Sequence, residues 1–417
     1  MSAPLPSLRR INVLYTLVQV IYWAAFAAFA GYQTALLLGR GFSSGDAGVF
    51  AAIRCLAGII AQPLLGGWAD RHQAVPLKRI LCVCLGLGLA VNALFYCTRP
   101  GFWGSALIFL ALGVLDLNIY PMLDSMAVQF INAGLDVNYS LGRGLGSFSY
   151  AVACVLLGRQ SAAFGTESVL LTHIGLLVLL MVIITVYPTF PAEALPPRGQ
   201  SVRSHSISQI LRGNPSFSLM LAAVFCGMTA VMPIVSFMVN IVTDRGGDTS
   251  HLGLALFLMG ASELPAALLF PHLWRRLGSR GMMVVSVAFM AVKPLLFLLA
   301  PSLVWVLLVQ PIQMLGYGLF TPASVYYANE NVSPADRVRG QAIMMMASNG
   351  LGGMVGNLIA GFAIDLGGVN AMLVLCTAIG ALGLLLALIA VRLSRKQAWP
   401  QCLFCGLWPY DKEVFHS

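Results

Sequence analysis

Charge is what this sequence most lacks. Asp, Glu, Lys and Arg together make up 9% of its 417 residues. A soluble chain carries about a quarter, so a water-soluble globular protein is excluded. No GxxxxGK[ST] occurs, so no phosphate-cradling loop points to ATP as a drive. No Cys/His/Ser constellation or metal-ligand cluster stands out, which argues against an enzyme, and no cofactor is expected. Cys55, Cys82, Cys84, Cys97, Cys154, Cys226 and Cys376 lie inside apolar runs, where they behave as small hydrophobes. Cys402 and Cys405 form a lone CxxC with only His416 nearby, short of the four ligands a structural zinc takes. A cleavable signal peptide is not expected either: Arg9 and Arg10 precede a run too long for a signal h-region, with no small-residue cleavage site.

What is present is apolar length. Hydrophobic residues make up 59%, and the mean hydropathy is +0.84. The apolar runs reach twenty residues or more, as helical spans require, rather than the alternating segments of about ten residues found in membrane barrels. The expected class is an all-α integral membrane protein. Twelve helices are read at about 11–38, 46–68, 77–98, 102–132, 140–164, 168–189, 215–242, 250–273, 281–299, 303–329, 338–364 and 370–393. The longest polar interval, 191–214, divides them six and six. The expected units are a six-helix bundle over 1–190, a cytoplasmic linker over 191–214, a second six-helix bundle over 215–393 and a cytoplasmic tail over 394–417.

The net charge of +9 would suggest nucleic acid in a soluble protein. Here the basic residues sit in short loops and act as topology signals, and no nucleic-acid partner is expected. Seventeen of the 24 Lys and Arg fall on the side that holds both termini, four on the other and three within spans. By the positive-inside rule both termini are cytoplasmic. The two halves also look like repeats. The second span ends QPLLGGWADR and the eighth FPHLWRRLG, while the fifth opens GRGLG and the eleventh VRGQA. Two six-helix pseudo-repeats are a transporter architecture with a midplane site between them.

Ionisable residues within spans are the candidates for function, because a charge at the bilayer centre costs about 2.5–3.5 kcal/mol on insertion scales. The stretch Ala106–Ala153 carries Asp116, Asp124 and Arg143, and Tyr150 follows Arg143 by seven residues, about two turns on the same side. Asp116 and Asp124 share one helical face, and either can pair with Arg143 or Arg54. Arg54 itself is read as snorkelling outward along its stem. In the second half Glu263 and Lys293 are the only obvious deep charges, expected to pair, with Glu263 as protonation site and Lys293 setting its proton affinity; a static structural ion pair is the alternative. Tyr15, Gln19, Tyr22, Phe26 and Phe29 form a stripe read as packing, with a sugar platform left open by Gln19. Gly352 and Gly356 form a GxxxG pair suited to close helix approach.

Gly66-Gly67-Trp68-Ala69-Asp70-Arg71-His72, followed by Lys78-Arg79, resembles the loop signature of the major facilitator superfamily between its second and third helices. The resemblance implies a cytoplasmic gate at Asp70 and Arg71, in which Asp70 pairs with Arg71 or with a basic residue on a neighbouring helix. Three further segments are similar to the oligosaccharide:proton symporters, the lactose permease group. They are Ser44–Ile53 with Gln62-Pro63-Leu64-Leu65-Gly66, then Pro121-Met122-Leu123-Asp124, then Tyr139-Ser140-Leu141-Gly142-Arg143-Gly144-Leu145-Gly146. In that group the Arg grips sugar hydroxyls, an acid partners it and an aromatic ring seven residues on stacks on the sugar. The resemblance gives those roles to Arg143, Asp124 and Tyr150. Met259-Gly260-Ala261-Ser262-Glu263-Leu264 resembles a segment whose Glu contacts sugar and couples to the proton. Lys293 stands where the group has Arg, Gln313 where it has His, Gly316 where it has the proton-carrying Glu, and Asn349 where it has Lys. Val231 and Ile234 stand near its seventh-helix carboxylates. The group's proton site is therefore missing, and its mechanism does not carry over.

The leading expectation is a secondary active transporter that takes up a polar, sugar-like solute with protons, through the major facilitator fold. Its partners are that solute, protons and the lipid bilayer. It is expected to be a monomer in the cell membrane. Nucleoside, aromatic-acid or drug-like solutes, including efflux, stay open, although Gly142–Gly165 lacks the Gly-Pro step of drug antiporters. A non-transporting membrane sensor is the third reading. Substrate candidates are Arg143, Tyr150, Asp124, Glu263, Gln313 and Asn349.

Overall fold

The computed structural model describes residues 7–72, 74–190 and 205–398. The CxxC tail and most of the polar linker lie outside them. Among the described residues every regular element is a helix, as an apolar chain in lipid requires: each helix satisfies its own backbone where no water can. The first half of the chain holds α1 (Leu8–Ala30), α2 (Gln33–Gly39), α3 (Ser44–Arg71), α4 (Leu77–Thr98), α5 (Phe102–Asn132), α6 (Tyr139–Phe164) and α7 (Thr166–Val186). A short α8 (Ile207–Gly213) precedes α9 (Pro215–Ser236), α10 (Met238–Asp244), α11 (Thr249–Ala261), α12 (Glu263–Leu298), α13 (Leu303–Val309), α14 (Tyr317–Asn331), α15 (Arg337–Met345) and α16 (Gly353–Ala398).

Among the described residues, ten helical stretches are long and apolar enough to cross a membrane. Two of the long helices are broken by glycine in a conformation L-residues avoid. Gly278 has φ 64°, inside α12. Gly368 has φ 73°, inside α16. Polar ends are capped locally. Ser43 and Asp46 form a capping box at α3, and Asp248 and His251 do the same at α11, each satisfying orphan N–H groups.

The hydrophobic core has three parts. One is built wholly from residues 11–190, and a second wholly from residues 210–391. The third mixes both halves, bringing Phe29, Tyr32, Phe50 and Cys154 against Met238, Leu252, Leu256 and Val369. The mixed core lies toward the face that carries the 40–43, 245–248 and 367–368 turns. The separate cores lie toward the face where both described chain ends emerge, here termed the terminal face. The halves are thus fused at one face and parted at the other.

Fusion at the closed face depends on backbone proximity. A Cβ on Gly48 would meet the Asn357 carbonyl oxygen at 2.5 Å, and one on Gly361 would meet that of Ser44 at 2.4 Å. The Asp365 carboxylate accepts from the Ser44 and Gly45 amides at 3.0 and 2.8 Å. That places an anion at the positive end of α3, where it is favoured. Asn240 adds a 2.9 Å bond to the Ser44 hydroxyl. Toward the terminal face the halves instead bound a cavity of about 790 Å³, lined by Ile59, Gln62 and Leu117 on one side and Arg339, Met346 and Asn349 on the other.

Candidate functional site

A polar network inside the first half is organised by Gln19, which is fully buried. Its Nε2 donates to Asp124 Oδ1 at 2.9 Å and to the Tyr15 hydroxyl at 3.0 Å. Its Oε1 accepts from Trp23 Nε1 at 3.0 Å. Because a carboxylate only accepts and an indole N–H only donates, this network admits one orientation of the amide. Tyr139 donates to the other Asp124 oxygen at 2.9 Å, and its ring stacks on Tyr15 at 5.7 Å. Gly142 and Gly146 permit the approach of α6: a Cβ on either would lie 2.5 Å from the Tyr15 and Trp23 rings respectively.

Asp124 is therefore held by neutral donors and makes no ion pair with Arg143. The guanidinium instead lies over two ring faces, 5.1 Å from the Trp23 centroid and 5.0 Å from that of Tyr120. Such contacts are worth about 0.5–2 kcal/mol each. They hold the group in place without using its donors, and Arg143 Nη1 is buried with no hydrogen-bond partner. Tyr150 joins the same aromatic cluster, 6.3 Å and edge-on from Trp23 and 6.2 Å from Phe26. A Cβ on Gly260 would lie 3.3 Å from the Tyr150 ring, so this ring touches the second half three residues before Glu263.

Three of the second-half candidates, Glu263, Gln313 and Asn349, sit at or beside breaks in helical regularity. Glu263 follows the α11–α12 junction and is exposed. Gln313 lies in a 3-10 turn, Gln310–Met314, which contains Pro311 and ends before Gly316. Asn349 lies in a π-helical segment, Met346–Gly352, where widened turns commonly accompany function. Lys293 is 1% exposed. Its ammonium donates to Gln313 Oε1 at 2.7 Å and stands 5.7 Å from the Phe297 centroid. The expected Glu263–Lys293 ion pair is not formed: Gln313 has taken the ammonium, and Glu263 stays within electrostatic reach only. Tyr317 lies close to both Glu263 and Asn349.

Three other expectations also change. Arg54 does not snorkel. It turns inward over the Phe29 ring at 4.9 Å, with Nη1 3.4 Å from Gln33 Oε1, because the interior of the first half holds polar partners. Asp116 pairs with neither arginine, and both its oxygens are buried without a partner. Asp70 and Arg71 form no ion pair: the Arg71 guanidinium donates to the Gly67 carbonyl at 2.9 Å, and Asp70 lines a separate cavity of about 300 Å³ near Lys78. Sequence reasoning missed Trp23, Tyr120 and Tyr139 as site residues. Trp23 stands one turn from Gln19 and Tyr120 one turn from Asp124, which is the only signal they carried.

The MFS_1-like family model matches residues 12–375. The chain belongs to the MFS_1-like family. It is a multi-pass membrane transporter of the major facilitator kind. The maltose permease of Geobacillus stearothermophilus is 24% identical over 384 residues, covering 90% of this chain and 94% of that one. The uncharacterized transporter YwbF of Bacillus subtilis (strain 168) is 21% identical over 359 residues, covering 82% and 87%. Among solved structures, the nucleoside transporter NupG aligns over 92% of this chain and 98% of its own with a TM-score of 0.75 at 16% identity. A POT family peptide transporter aligns over 97% and 98%, with a TM-score of 0.69 at 14% identity. These structural likenesses support the fold of an MFS_1-like protein and carry no substrate with them.

Proposed function

We propose that this MFS_1-like chain is a secondary active transporter that takes up a polar, sugar-like solute with protons by alternating access. One observation carries the reading: Arg143 is fixed over Trp23 and Tyr120 with Nη1 unpartnered, beside a carboxylate already held by Gln19 and Tyr139. A guanidinium held by ring faces keeps its donors for oxygens of a ligand, and Tyr150 offers a ring to stack on it. The maltose permease relative favours a sugar. Aromatic walls with an arginine also suit a nucleoside or aromatic acid, the second reading.

Taking the breaks at Gly278 and Gly368 as turns between spans makes twelve spans of the helices, six on each side of the linker. The basic residues then put the terminal face, and both termini, in the cytoplasm of a cell membrane. The parted cleft faces the cytoplasm, and Asp70 and Arg71 belong to a gate that forms ion pairs only when that side closes. Glu263 carries the coupled proton, and Lys293, held by Gln313, tunes it. Asn349 completes the second-half wall. The unit works as a monomer.

The test is a panel of maltose, uridine and an aromatic acid on proteoliposomes with an imposed pH gradient. Maltose accumulates in wild type, and Arg143→Ala lowers uptake by about tenfold or more, as loss of a charge-assisted hydrogen bond of ~1.5–3 kcal/mol requires. Movement of uridine alone makes the second reading correct, and no flux of any solute overturns both. Glu263→Gln abolishes gradient-driven accumulation and spares downhill exchange. Unchanged accumulation removes Glu263 from the coupling step.

A further inference from the structure

Apart from the cleft, the first half encloses a second polar site. A pocket of about 20 Å³ is lined by Tyr22, Phe26, Arg54, Asp116, Leu117 and His173, enough for a single water. Four atoms of its polar residues are buried without a partner: both oxygens of Asp116, Nε of Arg54 and Nε2 of His173. Asp116 is 9% exposed and His173 4%. Three elements far apart in sequence, α3, α5 and α7, thus line one water-sized space with residues that carry unpaired polar atoms.

The chemistry of each atom can be assigned. His173 Nδ1 lies 2.8 Å from the Ala25 carbonyl oxygen, which can only accept, so Nδ1 carries the hydrogen. In the neutral ring Nε2 is then a bare lone pair. Ionised Asp116 only accepts, and Arg54 only donates. One water partners three of these four atoms by donating to one Asp116 oxygen and to His173 Nε2 while accepting from Arg54 Nε. Adding a proton from the aqueous phase also leaves a satisfiable set. The proton comes to rest on an Asp116 oxygen, which then donates to the water, whether it arrives directly or by way of that water and Nε2. Either way the pocket gains one positive charge and no other bond changes. Two protonation states satisfied in one space are what reversible proton binding needs.

The surroundings permit the exchange. Around Asp116, α1 contributes Tyr22, α3 Arg54, α4 Cys84 and Asn92, and α7 His173; Asp124 on the same helix and Arg143 on α6 act on Tyr22 from beyond it. Gly88 leaves room on α4, since a Cβ there would sit 3.0 Å from Asp116 Oδ1. Leu117 lines both this pocket and the large cleft cavity. Tyr22 stacks on Tyr120 at 5.8 Å, and Tyr120 lies under Arg143, so a change of charge at Asp116 is one ring pair from the solute site.

We propose that Asp116, Arg54 and His173 form a proton-binding site in the first half of the chain, separate from Glu263, that holds one water and one exchangeable proton. Its use in transport rests on the proton-coupled reading above; proton binding itself is measured without flux. The experiment is infrared difference spectroscopy of the full chain in nanodiscs during a pH titration, in a Glu263→Gln background. A protonated-carboxyl band appears on acidification and shifts in D2O. It is lost in Asp116→Asn and retained at another midpoint in Asp116→Glu. His173→Asn, which keeps a donor for Ala25 but removes the Nε2 base, displaces the midpoint. Absence of the band, its persistence in Asp116→Asn, or a midpoint indifferent to His173→Asn overturns the site and leaves a fixed water. If the band behaves as stated and no solute moves in the flux assay, the transport reading fails alone.

Discussion

At the scale of residues, the site depends on an uncharged one. Gln19 links Asp124, Tyr15 and Trp23, and Trp23 supports Arg143, so an amide sets the position of a cation it does not touch. Gln19→Leu keeps the volume and removes all three bonds. On the proposed sugar reading it lowers maltose affinity by about ten- to a hundredfold, the value of hydrogen bonds to a charged group, with Tyr139 still holding Asp124. Isothermal titration on the purified protein reads the affinity, and an unchanged Kd removes Gln19 from the site. Arg143 and Asp124 stood out in the sequence because a charge in an apolar run is costly and therefore conspicuous, and Tyr150 because it follows Arg143 by about two turns. Trp23, Tyr120 and Tyr139 were not, since an aromatic in an apolar run has the same pattern whether it packs or lines a cavity. The inward turn of Arg54 was hidden for a related reason: its partner Gln33 belongs to a different helix.

At the scale of elements, the second-half wall is made of irregular backbone. The 3-10 turn at Gln310–Met314 buries Gln313 against Lys293, and the π segment at Met346–Gly352 presents Asn349 to the cleft. Pro311 and the glycine-rich stretch hint at such breaks, but where the helix yields depends on what it packs against. The linker offers a second case. His205 binds Asp336 twice, from its amide and its ring Nδ1, both at 2.8 Å, and Arg339 donates to the His205 carbonyl. The Ser333 hydroxyl, the largest influence, and His205 together lower the Asp336 carboxyl to about 2. A depressed carboxylate stabilises the folded state above its unfolded value of about 3.9, and the contribution fades as pH falls from there toward about 2. Hydrogen exchange at 205–213 therefore stays slow from neutral pH down to about 4 and quickens below it. In Asp336→Asn it is already fast at neutral pH, and an equally slow variant removes the clasp.

At the scale of the whole molecule, the halves meet at one face through the mixed core, close backbone contact and the polar bonds of Asp365 and Asn240 to the start of α3. Asp365 caps α3 across the interface, while Gly45, Gly48 and Gly361 allow contact that no side chain fits between. Asp365→Ala removes two charge-assisted bonds and shifts the population toward opening at this face. Cys154 is native and fully buried in the mixed core, which makes it a reporter. With exposed Cys97 replaced by Ser, labelling of Cys154 by a membrane-impermeant maleimide rises in Asp365→Ala. Labelling equal to the parent would show that Asp365 does not hold the face closed.

The sequence by itself determined that the chain is helical and membrane-embedded, and which charges cannot face lipid, because hydropathy and the cost of burying charge act on each residue along its own helix. Its local motifs also carried the superfamily. Only the tertiary structure decided which of those charges meet. It separated Asp124 from Arg143 and gave Lys293 to Gln313 rather than Glu263. It also brought Asp116, Arg54 and His173 around one water-sized space. Those outcomes depend on helix rotation and on breaks in the backbone, which packing between distant segments sets and no local pattern records.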